Sequence, residues 1–149
     1  MRDFIVALLL SGAVLLSWPA LSDSSSSACG QSIVTASQVN GTWRSRYGTF
    51  KVWALGNQKL RVDFSGFYEY QSPQGPTANT GEGSGIALIE GDTAIFKPEG
   101  AEDECQIKMK FTGGKLIVSQ EGICGFGQNV SAAGTYRKVS SRKPKFNAS

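Results

Sequence analysis

Histidine is absent from all 149 residues. That absence removes the commonest general base, the Ser-His-Asp and Cys-His arrangements and the usual zinc ligand sets together. Charge is scarce as well, with 15 Lys and Arg against 12 Asp and Glu and a formal net charge of +3. The acidic residues do not form a convincing catalytic pair. Asp63, Glu69, Glu82, Glu90 and Asp92 fall on outward strand positions or in turns, whereas glycoside hydrolysis needs two carboxylates facing each other across a cleft. Glu99 and the run Glu102-Asp103-Glu104 lack the alternating ligand spacing of calcium loops, so no metal and no cofactor is expected. Helical periodicity is missing too: residues 41–140 hold no convincing amphipathic helix.

What the chain does have begins at its N-terminus. After Arg2, the apolar run from Phe4 to Leu16 ends near Trp18-Pro19 and the small-residue step Ala20-Leu21-Ser22, the layout of a secretory signal peptide. Ser11 and Gly12 interrupt the run, leaving it short of the roughly 20 apolar residues of a membrane span. Residues 1–22 are therefore read as a removed leader, and the mature protein as exported, periplasmic or secreted, with no transmembrane segment left. An exported chain of this mild charge has no nucleic acid to meet. Residues 23–39 form a Ser-rich, flexible lead-in, 40–140 one domain, and 141–149 a basic tail carrying Arg142, Lys143 and Lys145, read as a solvated terminus or as a contact for anionic surfaces.

Export puts the three cysteines where disulfides persist, so one pair and one leftover are expected. From Gly41 onward the pattern has period two. Alternating segments run over 42–47, 50–54, 60–70, 86–89, 93–96, 106–111, 115–120 and 134–139, eight strands in all. Gln71-Ser72-Pro73-Gln74-Gly75-Pro76 reads as a long loop, and Gly81-Glu82-Gly83-Ser84-Gly85 as a turn, since it precedes a strand and lacks the Gly-Lys-Ser/Thr ending of a phosphate loop. Gly113-Gly114 makes the clearest hairpin turn: it sets Thr112 opposite Lys115 and brings Cys105 opposite Gly122, close enough to Cys124 for a bridge. Cys29 is left as a free or intermolecular thiol, with lipid attachment as an alternative.

Consecutive antiparallel strands remove their exposed edges by closing, so the expected fold is all-β, an eight-stranded antiparallel up-and-down barrel, with a two-sheet sandwich as alternative. Its expected interior includes Trp43, Tyr47, Phe50, Phe64, Ile86, Leu88 and Phe111, bulky enough to fill a barrel of this size. The candidate binding loop is Gly125-Phe126-Gly127-Gln128-Asn129 beside the Cys105–Cys124 pair. Either Phe126 is an exposed anchor on a covalently stiffened loop, or its ring folds back to plug the barrel end.

Asn40-Gly41-Thr42-Trp43 resembles the Gly-x-Trp opening of lipocalin and avidin barrels, in which the Trp closes one barrel end. The stretch from Cys105 through Gly113-Gly114-Lys115-Leu116-Ile117-Val118 to Cys124-Gly125-Phe126-Gly127 and Gly134-Thr135-Tyr136 resembles small exported bacterial barrel proteins, and the plan is similar to that of periplasmic lysozyme inhibitors. The Ser-containing inhibitory loop of the last family has no counterpart placed here. Similarity of plan does not confer function; with no catalytic motif in the chain, the expected function is a non-catalytic exported binding module, an inhibitor or envelope-interaction protein that engages a protein or envelope component through loops at one barrel end. The alternatives are a carrier of a small hydrophobic ligand in the interior and a cell-wall glycan hydrolase.

Export is checked by the intact mass of the protein recovered outside the cytoplasm. The expected N-terminus is Asp23, because Ala20 and Ser22 supply the small side chains that signal peptidase reads. A mass retaining residues 1–22, or a lipid on Cys29, overturns the assignment.

Overall fold

The computed structural model describes residues 33–147. The expected leader, most of the expected lead-in and Cys29 lie outside them. Eight strands, β1 (Gly41–Arg44), β2 (Gly48–Gly56), β3 (Lys59–Ser72), β4 (Gly75–Glu90), β5 (Thr93–Phe96), β6 (Gln106–Thr112), β7 (Lys115–Glu121) and β8 (Gly134–Ser140), follow one helical turn, α1 (Ala36–Val39). Each strand pairs antiparallel with the next, and β1 pairs with β8, so the sheet closes into an eight-stranded barrel. The expected fold class is thus observed.

Alternation decides which side chains enter the barrel. Phe50, Val52, Leu60, Val62, Phe64, Phe96, Ile107, Met109, Phe111, Leu116 and Tyr136 all point inward and are buried. Aromatic rings fill the axis: Phe50 packs on Phe64 at 4.9 Å and on Tyr136 at 5.0 Å, and Trp43 meets Phe111 edge-on at 5.6 Å. The interior is a packed core.

Three turns at one end are as tight as a hairpin allows. Asn57-Gln58 and Gly113-Gly114 both take positive φ at their two central residues, the mirror-image turn that matches strand twist, and Gly91-Asp92 joins β4 to β5. The expected β6–β7 register holds: Thr112 faces Lys115 and Gln106 faces Glu121, which leaves Cys105 and Cys124 adjacent and joined in a disulfide.

Other expectations are corrected. Residues 71–76 are not a long loop. Pro73 and Gln74 form a two-residue turn, and Pro76 continues as strand opposite Gln71, one step from the closing pair, where its missing N–H would point away from the partner strand. Gly81, Gly83 and Gly85 are strand residues of β4 and not a turn. Their small inner face fixes the parity of β4: Ala87 points in, and Ile86 and Leu88, expected inside, are exposed. Tyr47 also lies outside, in the β1–β2 turn against Phe67. The lead-in contributes α1, whose Val39 is buried. The basic tail folds back over β2 and β3, with Asn147 N–H donating to Asp63 Oδ2 at 2.9 Å, Asn147 C=O accepting from Arg61 Nη2 at 2.9 Å, and Lys143 lying over the Trp53 ring.

Burial pushes the Tyr136 phenol up to about 12, with the Ser45 hydroxyl pulling the other way. Folding favours the neutral phenol, so this contribution is complete below the unfolded value of about 10 and is lost as pH rises toward the folded value. Chemical-denaturation midpoints should therefore fall between about pH 10 and 12 in the wild type and fall less in Tyr136→Phe. An equal alkaline loss in both proteins would assign it to other groups.

Candidate functional site

The two barrel ends differ in chain length. One carries the three tight turns and is covered by α1, where Trp43 Nε1 donates to Val39 C=O at 2.9 Å. The other carries every long connection: the extension of β3 and β4 beyond the barrel, residues 97–105 and residues 122–133. Binding residues concentrate on such loops when a rigid scaffold positions them.

The extension is an arm. β2 pairs with β3 only as far as Gly66, yet β3 and β4 continue pairing from Phe67↔Thr80 to Ser72↔Gly75. Beyond Gly66 no third strand joins this ladder among the described residues; Phe67 N–H, at the arm's base, donates to Tyr47 C=O at 2.9 Å. Tyr68 and Tyr70 lie on the same face of the arm, 41% and 42% exposed, and Glu69 is the single charged residue between 67 and 80. That face of the arm therefore offers two ring surfaces and two hydroxyls.

The neighbouring connections are well held. The disulfide ties 97–105 to 122–133, Glu99 N–H donates to Ser84 C=O at 2.8 Å, and Ala132 N–H donates to Gln120 Oε1 at 2.8 Å. Lys97 pairs with Asp103 at 2.9 Å, and this hydrogen bond and positive charge hold the Asp103 carboxyl below its ordinary value. Asn79 Nδ2 donates to Gln128 C=O at 2.9 Å, which fastens the arm's base to the 122–133 connection.

The expected binding residues come together here, with one reversal. Gly125, Gly127, Gln128 and Asn129 are exposed, but Phe126 is only 3% exposed and does not serve as a surface anchor. Its ring drops into the slot left by the glycines of β4. It packs on Phe64 at 4.7 Å, and a Cβ on Gly83 would stand 2.7 Å from it. A Cβ on Gly81 would collide with the Phe126 carbonyl. Phe126 plugs the barrel. Sequence reasoning passed over Tyr68 and Tyr70, although Phe67-Tyr68-Glu69-Tyr70 puts aromatic residues on both faces of one strand, which a single inner core cannot bury.

Among the described residues no group of three His, Cys, Asp or Glu side chains is placed to hold a metal ion. Asp63 is buried on the outer face of β3 under the tail, with Oδ2 taken by Asn147. It faces no cleft.

Phe126→Ala should cost ~3–5 kcal/mol, and Gly83→Ala ~1–3 kcal/mol by overpacking. Because the smaller side chain at 126 removes the nearest of the methyl group's contacts, leaving Pro98 Cβ at 3.0 Å, the double variant should lose less than the sum of the single losses. Additive losses in chemical denaturation would show that the ring and the glycine do not share one slot.

No family model, curated protein or solved structure matches this chain, so the likeness to lipocalin, avidin and lysozyme-inhibitor barrels rests on the quoted residues and the barrel plan alone.

Proposed function

We propose that the protein is an exported, non-catalytic binding module that engages a protein or envelope component through the end of the barrel bearing the arm. The observation that carries this reading is the exposed pair Tyr68 and Tyr70 on a paired hairpin that outruns the barrel. Tyrosine offers a large, semi-rigid contact area with a polar tip at modest entropic cost, and so is enriched where proteins meet partners. The scaffold beneath is stiffened by a disulfide, by the Phe126 plug and by the Asn79–Gln128 hydrogen bond, which limits the ordering that association must supply. The disulfide is also compatible with an oxidising compartment outside the cytoplasm.

The carrier alternative needs interior room. The barrel axis is occupied by Trp43, Phe50, Phe64, Phe96, Phe111 and Tyr136, while the grooves of about 600 Å³ beside Leu88 and Ile95, and about 420 Å³ beside α1, open at the surface. This weighs toward the arm.

A photo-crosslinking residue placed at position 123, exposed on the 122–133 connection at the arm's end of the barrel, should form adducts in an envelope fraction, and the same residue at position 115, at the opposite end, should not. Tyr68→Ala with Tyr70→Ala should abolish the adducts at 123 while changing stability by no more than about 0.5 kcal/mol. Adducts that form at 115, or that survive the double substitution, would move the binding surface elsewhere.

A further inference from the structure

The arm has two long edges, and they are not equivalent. Ser72 and Gly75 close a two-residue turn, so their backbone groups face each other across the hairpin. Antiparallel alternation then turns the N–H and C=O of Tyr68 and Tyr70 toward β4, and those of Glu69 and Gln71 outward. Phe67 fixes the phase independently: its N–H points away from β4 and donates to Tyr47 C=O at 2.9 Å. The outer edge of β3 past Tyr47 is the lane that β2 vacates. On β4 the matching outward positions are Pro76, Ala78 and Thr80. Pro76 has no N–H, and Thr80 stands beside Gly127, whose Cβ position lies 3.4 Å from the Thr80 carbonyl. One edge is guarded and the other is open.

We infer that two copies of this chain pair arm to arm along the open edge of β3. The open segment is short, bounded by Tyr47 at its base and Pro73 at its tip, and it is self-complementary. Set antiparallel about Tyr70, Glu69 of one copy faces Gln71 of the other, and the outward N–H and C=O groups of both residues are satisfied in both copies. Tyr70 then faces Tyr70 across the two-fold axis, in the close pairing that suits aromatic side chains. The only charge on the arm meets a neutral amide, so no like charges oppose. The product is a four-stranded ribbon with Tyr68 and Tyr70 of both copies on a single face. This deepens the proposed function, and rests on it for the use of that face: the tyrosine surface is doubled and presented as one platform. A strand edge of this length falls below the ~1,200 Å² of standard interfaces, so the association is weak and concentration-dependent.

Sedimentation equilibrium of the mature protein alone, from about 10 µM to about 1 mM, should show the average mass rising from monomer toward dimer, as a small interface requires. The facing of Glu69 and Gln71 sets the sign of two substitutions that leave the fold alone. Gln71→Lys should tighten the dimer and Gln71→Glu should loosen it, each by roughly two- to tenfold from symmetric cross-strand pairs. Gln71→Pro removes the outward N–H at a position whose cross-strand neighbour is already Pro76, and should leave a monomer with an unchanged melting temperature. Ala78→Pro, on the guarded edge, should dimerise as the wild type does. A wild type that stays monomeric throughout, a dimer dissolved by Ala78→Pro and not by Gln71→Pro, or equal effects of Lys and Glu at 71 would each overturn the pairing. Because no partner is present, a monomeric protein that still crosslinks through position 123 would refute the pairing and leave the binding end standing.

Discussion

Closure at the seam between β1 and β8 is the constraint on which this structure depends. Without it two strands would present open edges, and the core would lose a wall. The seam is short and irregular. Thr42↔Ser140, Trp43↔Lys138 and Arg44↔Arg137 carry it, with a register shift after Thr42, and a Cβ on Gly41 would collide with the Ser140 carbonyl. Glycine is needed there. The seam is reinforced by α1: Trp43 of β1 donates to Val39 C=O, while Lys138 of β8 lies over the Trp43 ring and donates to Ser37 C=O and Gln38 C=O, each at 2.8 Å. Both strands of the seam thus hold the same helical turn. The partial burial this demands pulls the Lys138 ammonium below its ordinary value.

Sealing one end in this way leaves the opposite end free to vary. There the volume problem is solved by subtraction: Gly81 and Gly83 remove side chains from the inner face of β4, and Phe126 enters the vacated slot from the connection after β7. The disulfide between Cys105 and Cys124 holds the start of that connection beside the end of the preceding one. A ring carried on a loop therefore does the work of a core residue, and the residues flanking it are set on the rim.

Period-two alternation, glycine turns and cysteine spacing made the barrel, the β6–β7 register and the disulfide legible in the sequence. What stayed hidden depended on volume and on distant partners. Alternation alone cannot say which parity of β4 points inward; Ile86 and Leu88 look like core until the glycines and Ala87 are seen to face rings supplied by Phe96 and Phe126. A glycine at every second position of a strand is itself a sign that something bulky or a backbone approaches, and it was open to being read. Pro73 and Pro76 suggested a loop because proline breaks ladders, but one sits in a turn and the other on an outer edge, where no ladder bond is lost. The tail could not have been placed: Asn147 reaches Asp63 from 84 positions away, and neither residue carries a local signal for the other.

The clamp on α1 joins Lys138 to Ser37 across 101 positions of sequence. On a chain that emerges N-terminus first, each strand from β1 to β7 finds its next neighbour locally, but the second edge of β1 and the Lys138 clamp on α1 must wait for β8, the last barrel strand made. Until then Trp43 and one side of the core remain uncovered. Barrel closure is therefore the last pairing step, and chain truncated before β8 leaves the second edge of β1 open.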